Sequence, residues 1–334
     1  MIDVLVDADV LGRQRTGDET YVENLLRALP AAAPELRFAA VTRHPERVPQ
    51  GIETLELPAG SQELRMAWRL PRLLRRVRPR VGHYQHALPL RTVGRSVLTV
   101  HDLSFEREPE LMPRKDRLVF KTTVQRSARK AERVIAVSDR TRDDLVDLYR
   151  LPTEKTRVIP HGVDPIFSPG DSRGEGYLLF VGAVQRRKDP RAALEASRDL
   201  QMPLVIVGPE REAALAGELR SLGADLRGYV EKGELAELYR GAACVVVPSR
   251  YEGFGLPALE AMASGTPVVA APDPALMEVA GDAAVYADPD DLPGAILHAL
   301  DHRVELRAAG LARAAQFSWA EAARRTIEVY RELL

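Results

Sequence analysis

The chain has 334 residues and a net charge of -1, with 45% hydrophobic and 28% charged residues. This composition is that of a soluble globular protein, and the length exceeds one ordinary hydrophobic core, so two domains of about 150 residues are expected. No run of about 18 apolar residues occurs, so we expect no membrane-spanning helix, and no nucleic-acid partner is expected either. The first ten residues, MIDVLVDADV, carry acids where a signal peptide carries basic residues, and this predicts a cytoplasmic protein.

Short apolar segments that predict strands alternate with segments of helical periodicity, and they fall into two blocks. The predicted strands of the first block span 2–6, 36–41, 97–101, 134–137 and 158–160; those of the second span 178–181, 204–207, 244–247 and 268–270. Such alternation predicts two doubly wound parallel sheets. Because ligands of these sheets bind beyond the carboxyl ends of the strands, a cleft between the two domains is the expected site.

The first predicted strand contains Asp7 and leads through Asp9 to Gly17, where the missing side chain would let an anionic ligand approach the backbone. A D-x-D pattern binds divalent metals in some enzymes, but three residues are weak evidence, and a strand end rich in Asp explains them better. We therefore expect no metal. Further along, His101 follows a predicted strand. A lone His is more often structural than catalytic, but its place at a strand end beside the expected ligand makes it a candidate.

Basic residues are concentrated in the first half of the chain. Residues 1–165 contain 29 Lys and Arg against 23 Asp and Glu, whereas the remainder contains 18 against 25. Seven arginines lie in residues 65–80, RMAWRLPRLLRRVRPR, where apolar residues interleave with them and predict an amphipathic basic helix. Its basic face has two explanations: a solvated surface, which is the commoner one, or a peripheral contact with the inner face of a membrane.

The segment 161–176, HGVDPIFSPGDSRGEG, separates the two blocks and is rich in Gly, Pro, Ser and Asp, as linkers are. We predict a first domain at 1–165 and a second at 166–317. Residues 318–334 form a predicted helix with Ser318 as N-cap and Glu321 three positions later, a capping box. This helix either completes the second domain or crosses back to the first.

The second block opens with YLLFVGAVQRRKDP, in which a predicted strand is followed by three consecutive cations, Arg186, Arg187 and Lys188. Each could simply be a solvated surface residue. Three in a row beyond a strand end favour an anion instead, because Arg offers a planar fork and Lys a point charge to a diphosphate.

The stretch SRYEGFGLPALEAMA, residues 249–263, predicts a tight loop and a helix after a buried strand. Pro257 suits the first helical turn, and such a strand-loop-helix junction directs free backbone N–H groups and a helix dipole at one point, which favours phosphate. Glu252 would lie in the loop and Glu260 in the helix. A Glu in a first helical turn often serves only to complement the dipole, so this stretch alone leaves function and structure equally supported.

Several segments resemble, in order along the chain, the retaining glycosyltransferases of family 4. The similarity is carried by VHDLSFEREPELMP, AVSDRTRDDL, VIPHGVDPIFSP, LFVGAVQRRKDP, GYVEKGELAELYRGA, SRYEGFGLPALEAMASGTPVVA with its E-x7-E spacing, and FSWAEAARRTIEVY. Together they cover most of the chain. VHDLSF and HGVDP are most similar to the mannosyltransferase-like branch. The chain departs from the family in three places: many members have Gly-x-Gly in the first loop, where this chain has Gly17-Asp18-Glu19, some have an Arg in place of Ala183, and an Asp is common in place of Arg80.

The resemblance implies a GT-B fold, with two Rossmann-like domains facing across a cleft, and a hexosyltransferase that uses a nucleotide-diphospho-sugar and no metal or other cofactor. GDP-mannose is the favoured donor and a UDP-sugar the second choice; the acceptor is a glycan, a lipid-linked molecule or a small molecule. Retention is thought to follow from attack of the acceptor hydroxyl on the leaving-group face, with a phosphate oxygen taking its proton.

The resemblance also implies roles for individual residues. Glu260 would hold the ribose hydroxyls, Glu252 and His101 the donor sugar, and Gly17 would cover the phosphates. Arg187 and Lys188 would neutralise the leaving diphosphate, as a metal does in other folds. The remaining donor contacts would be backbone groups of Gly253, Phe254, Gly255 and Leu256.

Other functions fit the same pattern. A nucleotide-sugar epimerase or a phosphorylase shares the architecture, and a non-catalytic subunit that binds sugar nucleotides would carry the same binding groups. A dehydrogenase is disfavoured because no G-x-G-x-x-G follows any predicted strand. Transfer requires an acceptor, epimerisation does not, and a binding subunit shows neither reaction.

Overall fold

The computed structural model describes residues 2–13, 16–111, 114–170 and 176–334. The chain divides into two compact units, which we call unit 1, comprising Met1–Gly162 and Trp319–Leu334, and unit 2, comprising Val163–Ser318. Residues 171–175 of the predicted linker lie outside the described residues. In the part of the chain that the structure describes, no helix has the length and hydropathy needed to cross a bilayer.

Unit 1 is built on a seven-stranded parallel sheet of order β3-β2-β1-β4-β5-β6-β7. The strands are β1 (Val4–Asp7), β2 (Phe38–Thr42), β3 (Glu53–Glu56), β4 (Val81–Gln85), β5 (Arg95–Val100), β6 (Arg133–Ala136) and β7 (Thr156–Val158). The helices of unit 1 are α1 (Thr16–Ala32), α2 (Gln62–Leu64), α3 (Leu70–Val77), α4 (Ser104–Arg107), α5 (Arg114–Lys130), α6 (Asp139–Tyr149) and α14 (Trp319–Arg331). A π-helical turn, Arg65–Arg69, joins α2 to α3.

The central strands are buried on both faces, which explains their continuous apolar sequence. Alternate residues of β1 face opposite ways: Val4 and Val6 pack in a core that includes α1 and α14, whereas Leu5 packs in a second core with α3 and α6. Helix α14 contributes buried side chains from Trp319 to Tyr330 to the first of these cores. The last helix of the chain is therefore part of unit 1.

Unit 2 contains a six-stranded parallel sheet of order β10-β9-β8-β11-β12-β13. Its strands are β8 (Leu178–Val181), β9 (Leu204–Val207), β10 (Asp225–Gly228), β11 (Cys244–Val247), β12 (Val268–Ala270) and β13 (Val285–Tyr286). Its helices are α7 (Pro190–Asp199), α8 (Ala213–Ser221), α9 (Lys232–Gly241), α10 (Leu256–Ala263), α11 (Pro274–Ala280), α12 (Leu292–Asp301) and α13 (Arg303–Ala314). Strands β8 and β11 are neighbours, so the loops that follow them leave the same edge of the sheet.

The predicted basic helix at 65–80 is present over residues 65–77, as the π-helical turn followed by α3, and most of its apolar residues pack in the core of unit 1. Leu70, Leu73 and Leu74 are buried in the second core. Arg65 is wholly buried and forms an ion pair with Asp7. The exposed groups of this helix are therefore the other arginines together with Trp68, whose exposed fraction is 63%.

Candidate active site

The loop after β11 is shaped by Gly255. This residue has φ +105°, and a Cβ built there would lie 2.7 Å from a methyl carbon of Leu276, so only glycine fits. Helix α10 begins at the next residue, with Pro257 in its first turn. The loop thus ends in a helix N-terminus at the carboxyl edge of a central strand, as the sequence predicts.

Glu252 lies buried in this loop, with an exposed fraction of 5%. Its carboxylate forms an ion pair with the Lys188 ammonium at 2.5 Å, and its backbone N–H donates to the Asp273 carboxylate at 3.3 Å. Burial opposes ionisation, but the charges of Lys188 and Arg187 overcome it and hold the pKa of Glu252 below its usual value. Glu252 is therefore ionised at neutral pH.

The cations come from the turn after β8, Arg186–Lys188. Arg187 donates from Nη1 to the carbonyl of Tyr251 at 2.7 Å, while its own carbonyl accepts from the N–H of Arg250 at 3.0 Å. These bonds tie the turn to the Glu252 loop. Arg186 differs from its neighbours: its side chain is 74% exposed and pairs with Glu212. Of the three consecutive cations, Arg187 and Lys188 therefore contact the Glu252 loop, whereas Arg186 does not.

Glu260 lies in α10, has an exposed fraction of 7%, and accepts a hydrogen bond from the Tyr239 hydroxyl at 2.9 Å. Burial raises the pKa of Glu260 to about 7, although the Tyr239 hydrogen bond and Lys232 lower it in part. A glutamate that served only the helix dipole would be exposed and easily ionised. Burial instead destabilises the ionised form of Glu260, which favours a role in ligand binding over a role in stabilising the helix dipole.

The remaining donor-site candidates of unit 2 offer backbone rather than side chains. The ring of Phe254 is 4% exposed and packs edge-on against Phe317, with the ring centroids 6.0 Å apart. This ring anchors the loop, and Gly253 and Gly255 on either side of it have no side chains, so they can offer only main-chain groups to a ligand.

In unit 1, His101 follows β5 and is buried. Its Nε2 lies 3.1 Å from Oε1 of Gln85, and the edge of the Tyr21 ring contacts its own, with the centroids 4.9 Å apart. Burial lowers the pKa of His101 to about 4, against the opposing charge of Asp18, so the ring is neutral at neutral pH. Gly17 lies near the start of α1, and among the described residues no atom other than those of its chain neighbours and its own helix backbone lies within 4 Å of the position of a Cβ.

Sequence reasoning missed a buried polar chain in unit 1. The imidazole of His83 lies 2.6 Å from the Tyr330 hydroxyl and 2.7 Å from Oγ1 of Thr99, which in turn lies 3.0 Å from the Tyr21 hydroxyl. Burial lowers the pKa of His83 to about 3, so this ring too is neutral. This chain of hydrogen bonds connects α14, β4, β5 and α1, and it holds Tyr21 in place beside His101.

His161 was also missed as part of this region. Its ring packs against Tyr21 and Trp319, with centroid separations of 5.0 and 5.5 Å. The only sequence signal was its place in the HGVDP segment, which the composition alone marked as a linker.

The D-x-D aspartates are held by arginines. Asp7 pairs with Arg65 at 2.6 Å, and Asp9 pairs with Arg43 and Arg13, each at 2.8 Å. Their carboxylate oxygens are therefore engaged in structural ion pairs within unit 1, which counts against a metal-binding role for this pattern.

Comparison with known proteins identifies relatives over both units. The family described as Glycosyltransferase Family 4 matches residues 15–167, and that described as Glycosyl transferases group 1 matches residues 166–316. The O-antigen chain mannosyltransferase B of Escherichia coli is 33% identical over 275 residues, which are 72% of this chain and 71% of the relative. A D-inositol 3-phosphate glycosyltransferase of Catenulispora acidiphila is 38% identical over 243 residues, 61% of this chain and 58% of that protein.

Solved structures share the fold at low sequence identity. A sucrose-phosphate synthase from Thermosynechococcus elongatus superposes with a TM-score of 0.81 at 21% identity, covering 100% of this chain and 99% of that one. The Anabaena protein HepE in complex with UDP-glucose superposes with a TM-score of 0.77 at 15% identity, covering 99% of each chain. These likenesses establish that the two Rossmann-like units are those of a GT-B protein.

Proposed function

The chain belongs to glycosyltransferase family 4 and is a hexosyltransferase of GT-B fold; we propose that it transfers a hexose, mannose or glucose, from a nucleotide-diphospho-sugar to an acceptor hydroxyl with retention of anomeric configuration. The observation that carries this proposal is the cluster of Arg187, Lys188 and Glu252 on the same sheet edge as Glu260. The cluster brings two cations together with two glutamates whose pKa values are shifted in opposite directions: that of Glu252 is lowered and that of Glu260 is raised.

Lys188 and Arg187 stabilise the departing nucleoside diphosphate. The bond between the anomeric carbon and the phosphate oxygen breaks with its electron pair leaving on the diphosphate, so negative charge grows there in the transition state. Preorganised cations stabilise that charge without reorganisation. Lys188 also pairs with Glu252. The two cations perform the task that a divalent metal performs in other folds, so transfer proceeds without one.

The two glutamates hold different ends of the donor. Glu260 accepts hydrogen bonds from the ribose hydroxyls. The ionised carboxylate accepts them more strongly than the neutral carboxyl, so binding of those hydroxyls lowers the pKa of Glu260 from about 7. Glu252 holds the donor sugar, with backbone groups of the Gly253 to Leu256 loop and His101 completing the contacts. The acceptor oxygen attacks the anomeric carbon from the leaving-group face, and its proton passes to a phosphate oxygen.

We propose GDP-mannose as the donor, since the E. coli relative is a mannosyltransferase, with UDP-glucose as the second choice because HepE binds it. The acceptor is a glycan. A phosphorylated polyol is the small-molecule alternative suggested by the D-inositol 3-phosphate glycosyltransferase.

A donor-by-acceptor screen tests the function. Each nucleotide sugar is incubated with and without each acceptor, and products are identified by mass spectrometry. Product that forms only with an acceptor supports transfer. A changed sugar nucleotide without acceptor would indicate an epimerase, sugar phosphate formed with inorganic phosphate would indicate a phosphorylase, and binding without either reaction would indicate a non-catalytic subunit.

We also propose a peripheral contact between the helix at 65–80 and an anionic membrane. The exposed arginines of this helix attract lipid phosphates, and Trp68, 63% exposed, supplies an amphipathic ring of the kind found at membrane interfaces. The leucines of the same helix contribute nothing to this contact because they are buried in unit 1.

A further inference from the structure

Three side chains at the carboxyl edge of the unit 1 sheet form a group of potential metal ligands. His86 follows β4, His101 follows β5, and Asp18 lies in the first turn of α1. Strands β4 and β5 are neighbouring parallel strands, so their ends place the two histidines side by side, with ring centroids 5.1 Å apart. We call these three residues the Asp-His-His cluster.

The ligand atoms of the cluster already converge. One atom from each side chain lies within 4.8 Å of the others. Nε2 of His86 is 3.8 Å from Oδ2 of Asp18, and Nδ1 of His101 is 4.0 Å from Oδ1 of the same carboxylate. Ligands around tetrahedral zinc lie about 3.3 Å apart, since each is about 2.0 to 2.1 Å from the ion. Small side-chain rotations close the difference, and the side chains of Asp18 and His86, 30% and 22% exposed, have room to make them.

The orientation of His101 suits a ligand. Its Nε2 faces Oε1 of Gln85 at 3.1 Å, and because a carbonyl oxygen only accepts, this nitrogen carries the proton. The other nitrogen, Nδ1, then presents its lone pair towards Asp18. A hydrogen bond from the second ring nitrogen to a neighbouring acceptor is the arrangement that fixes metal-binding histidines in the correct tautomer.

His86 is held in place by its backbone. Its φ is +55°, which is uncommon for a residue other than glycine, and its N–H donates to the carbonyl of Thr99 on β5 at 2.9 Å. The strand register thus keeps His86 beside His101. Strained backbone that the surrounding structure maintains is more frequent at functional sites than elsewhere.

We propose that the Asp-His-His cluster binds a divalent transition-metal ion, with zinc as the probe, and that the bound ion inhibits transfer. Two imidazoles and one carboxylate with an open remaining position form a ligand set that zinc accepts. Inhibition rests on the proposed function: a ligated His101 no longer contacts the donor sugar, so zinc competes with the donor. The ion takes no part in catalysis, because the leaving diphosphate is stabilised by Arg187 and Lys188.

A second pair of histidines must be removed before the test. His298 and His302 lie on and just after α12, four residues apart, with ring centroids separated by 4.1 Å, and they present an exposed two-histidine site in unit 2. The parent protein for every measurement is therefore the His302→Gln variant, in which this pair is broken.

Zinc binding to the parent is measured by calorimetry and compared with binding to Asp18→Asn and His86→Gln made in the same background. We expect one zinc ion per chain, and an affinity at least about 100-fold lower in each variant, because loss of a direct ligand costs no less than loss of an outer-shell partner. Metal-free thermal unfolding confirms that each variant is folded. Equal affinity in the parent and both variants, or no binding to the parent, would overturn the site.

The inhibitory effect has its own readout, expressed relative to the zinc-free rate of each protein. Zinc should raise KM for the donor in the parent and leave kcat unchanged, and His86→Gln should require about 100-fold more zinc for the same effect. If zinc bound to the cluster without raising KM, the metal site would stand and the placement of His101 at the donor sugar would be wrong. If no donor were transferred at all, calorimetry would still decide the metal site.

Discussion

The substitution Glu260→Gln should stabilise unit 2 while weakening nucleotide binding. Burial raises the pKa of Glu260 from 4.5 to about 7. Between these two values the folded protein holds a proton that the unfolded chain has released, so the stability of the wild type falls as pH rises through that window. Gln keeps the shape and can still accept from Tyr239, but it never has to carry a buried charge.

The size of the effect follows from the shift of the pKa. A rise of about 2.5 units corresponds to about 3 kcal/mol of lost stability once the carboxyl is fully ionised. For a unit of this size that is a difference of roughly 6 to 12 °C in the unfolding midpoint. Glu260→Gln should therefore match the wild type near pH 4.5 and exceed it increasingly up to about pH 7. Beyond that pH the difference should level off.

The same variant should bind a nucleoside diphosphate less tightly at pH 8. A hydrogen bond to a charged acceptor contributes more than one to a neutral acceptor, by about 1 to 1.5 kcal/mol, which is a roughly 5- to 13-fold loss of affinity. Thermal unfolding from pH 4.5 to 8 and calorimetry with GDP and UDP measure the two effects. The matched control is Glu195→Gln, at an exposed position within α7. A stability difference that did not vary with pH would contradict the raised pKa of Glu260, and undiminished affinity would contradict its contact with the nucleotide.

Five further outcomes are expected. Lys188→Ala should lower turnover by on the order of a hundredfold, since it removes charge that acts on the departing diphosphate. Glu252→Gln should lower turnover but leave affinity for the bare nucleoside diphosphate nearly intact. Equal losses of that affinity in Glu252→Gln and Glu260→Ala would contradict the division of roles between the two glutamates. EDTA should leave the transfer rate unchanged, and a rate lost to chelator and restored by manganese would contradict metal independence. Arg65→Met should cost about 3 to 5 kcal/mol in denaturant unfolding because it removes the arginine that pairs with the buried Asp7 carboxylate, whereas exposed Arg76→Met should cost little. Sedimentation with anionic vesicles should fall with salt and in Trp68→Ala; equal recovery with neutral vesicles at low salt would favour a merely solvated basic face.

Much of the fold could be predicted because its central strands are apolar on both faces. In unit 2 the predicted strands at 178–181, 204–207, 244–247 and 268–270 coincide with β8, β9, β11 and β12. Strand β4 was missed because it reads Val-Gly-His-Tyr-Gln, and its His83 is satisfied by partners far away in sequence. The edge strand β3, Glu-Thr-Leu-Glu, is largely exposed, so it lacks the buried pattern on which the prediction depends.

The candidate site of unit 2 could be predicted from the sequence because its residues lie in two short segments at strand ends. Local pattern placed Lys188 and Glu252 each beyond a predicted strand. The structure shows that these strands are neighbours and that the two side chains form an ion pair. The hydrogen bond of Glu260 could not be predicted from the sequence, because its partner Tyr239 is 21 residues away on another helix. For the same reason the Asp-His-His cluster, assembled from three separate elements, left no signal in the sequence.

Retaining, metal-independent transfer from a nucleotide-diphospho-sugar can be tested in a single reaction. The most direct measurement is proton NMR of the reaction with GDP-mannose and a glycan acceptor in the presence of EDTA, which reports the anomeric configuration of the first product formed. We expect an α-linked mannoside, with the configuration of the donor, formed at the same rate with and without the chelator. A β-linked first product, or transfer that occurs only after a divalent ion is restored, would contradict it.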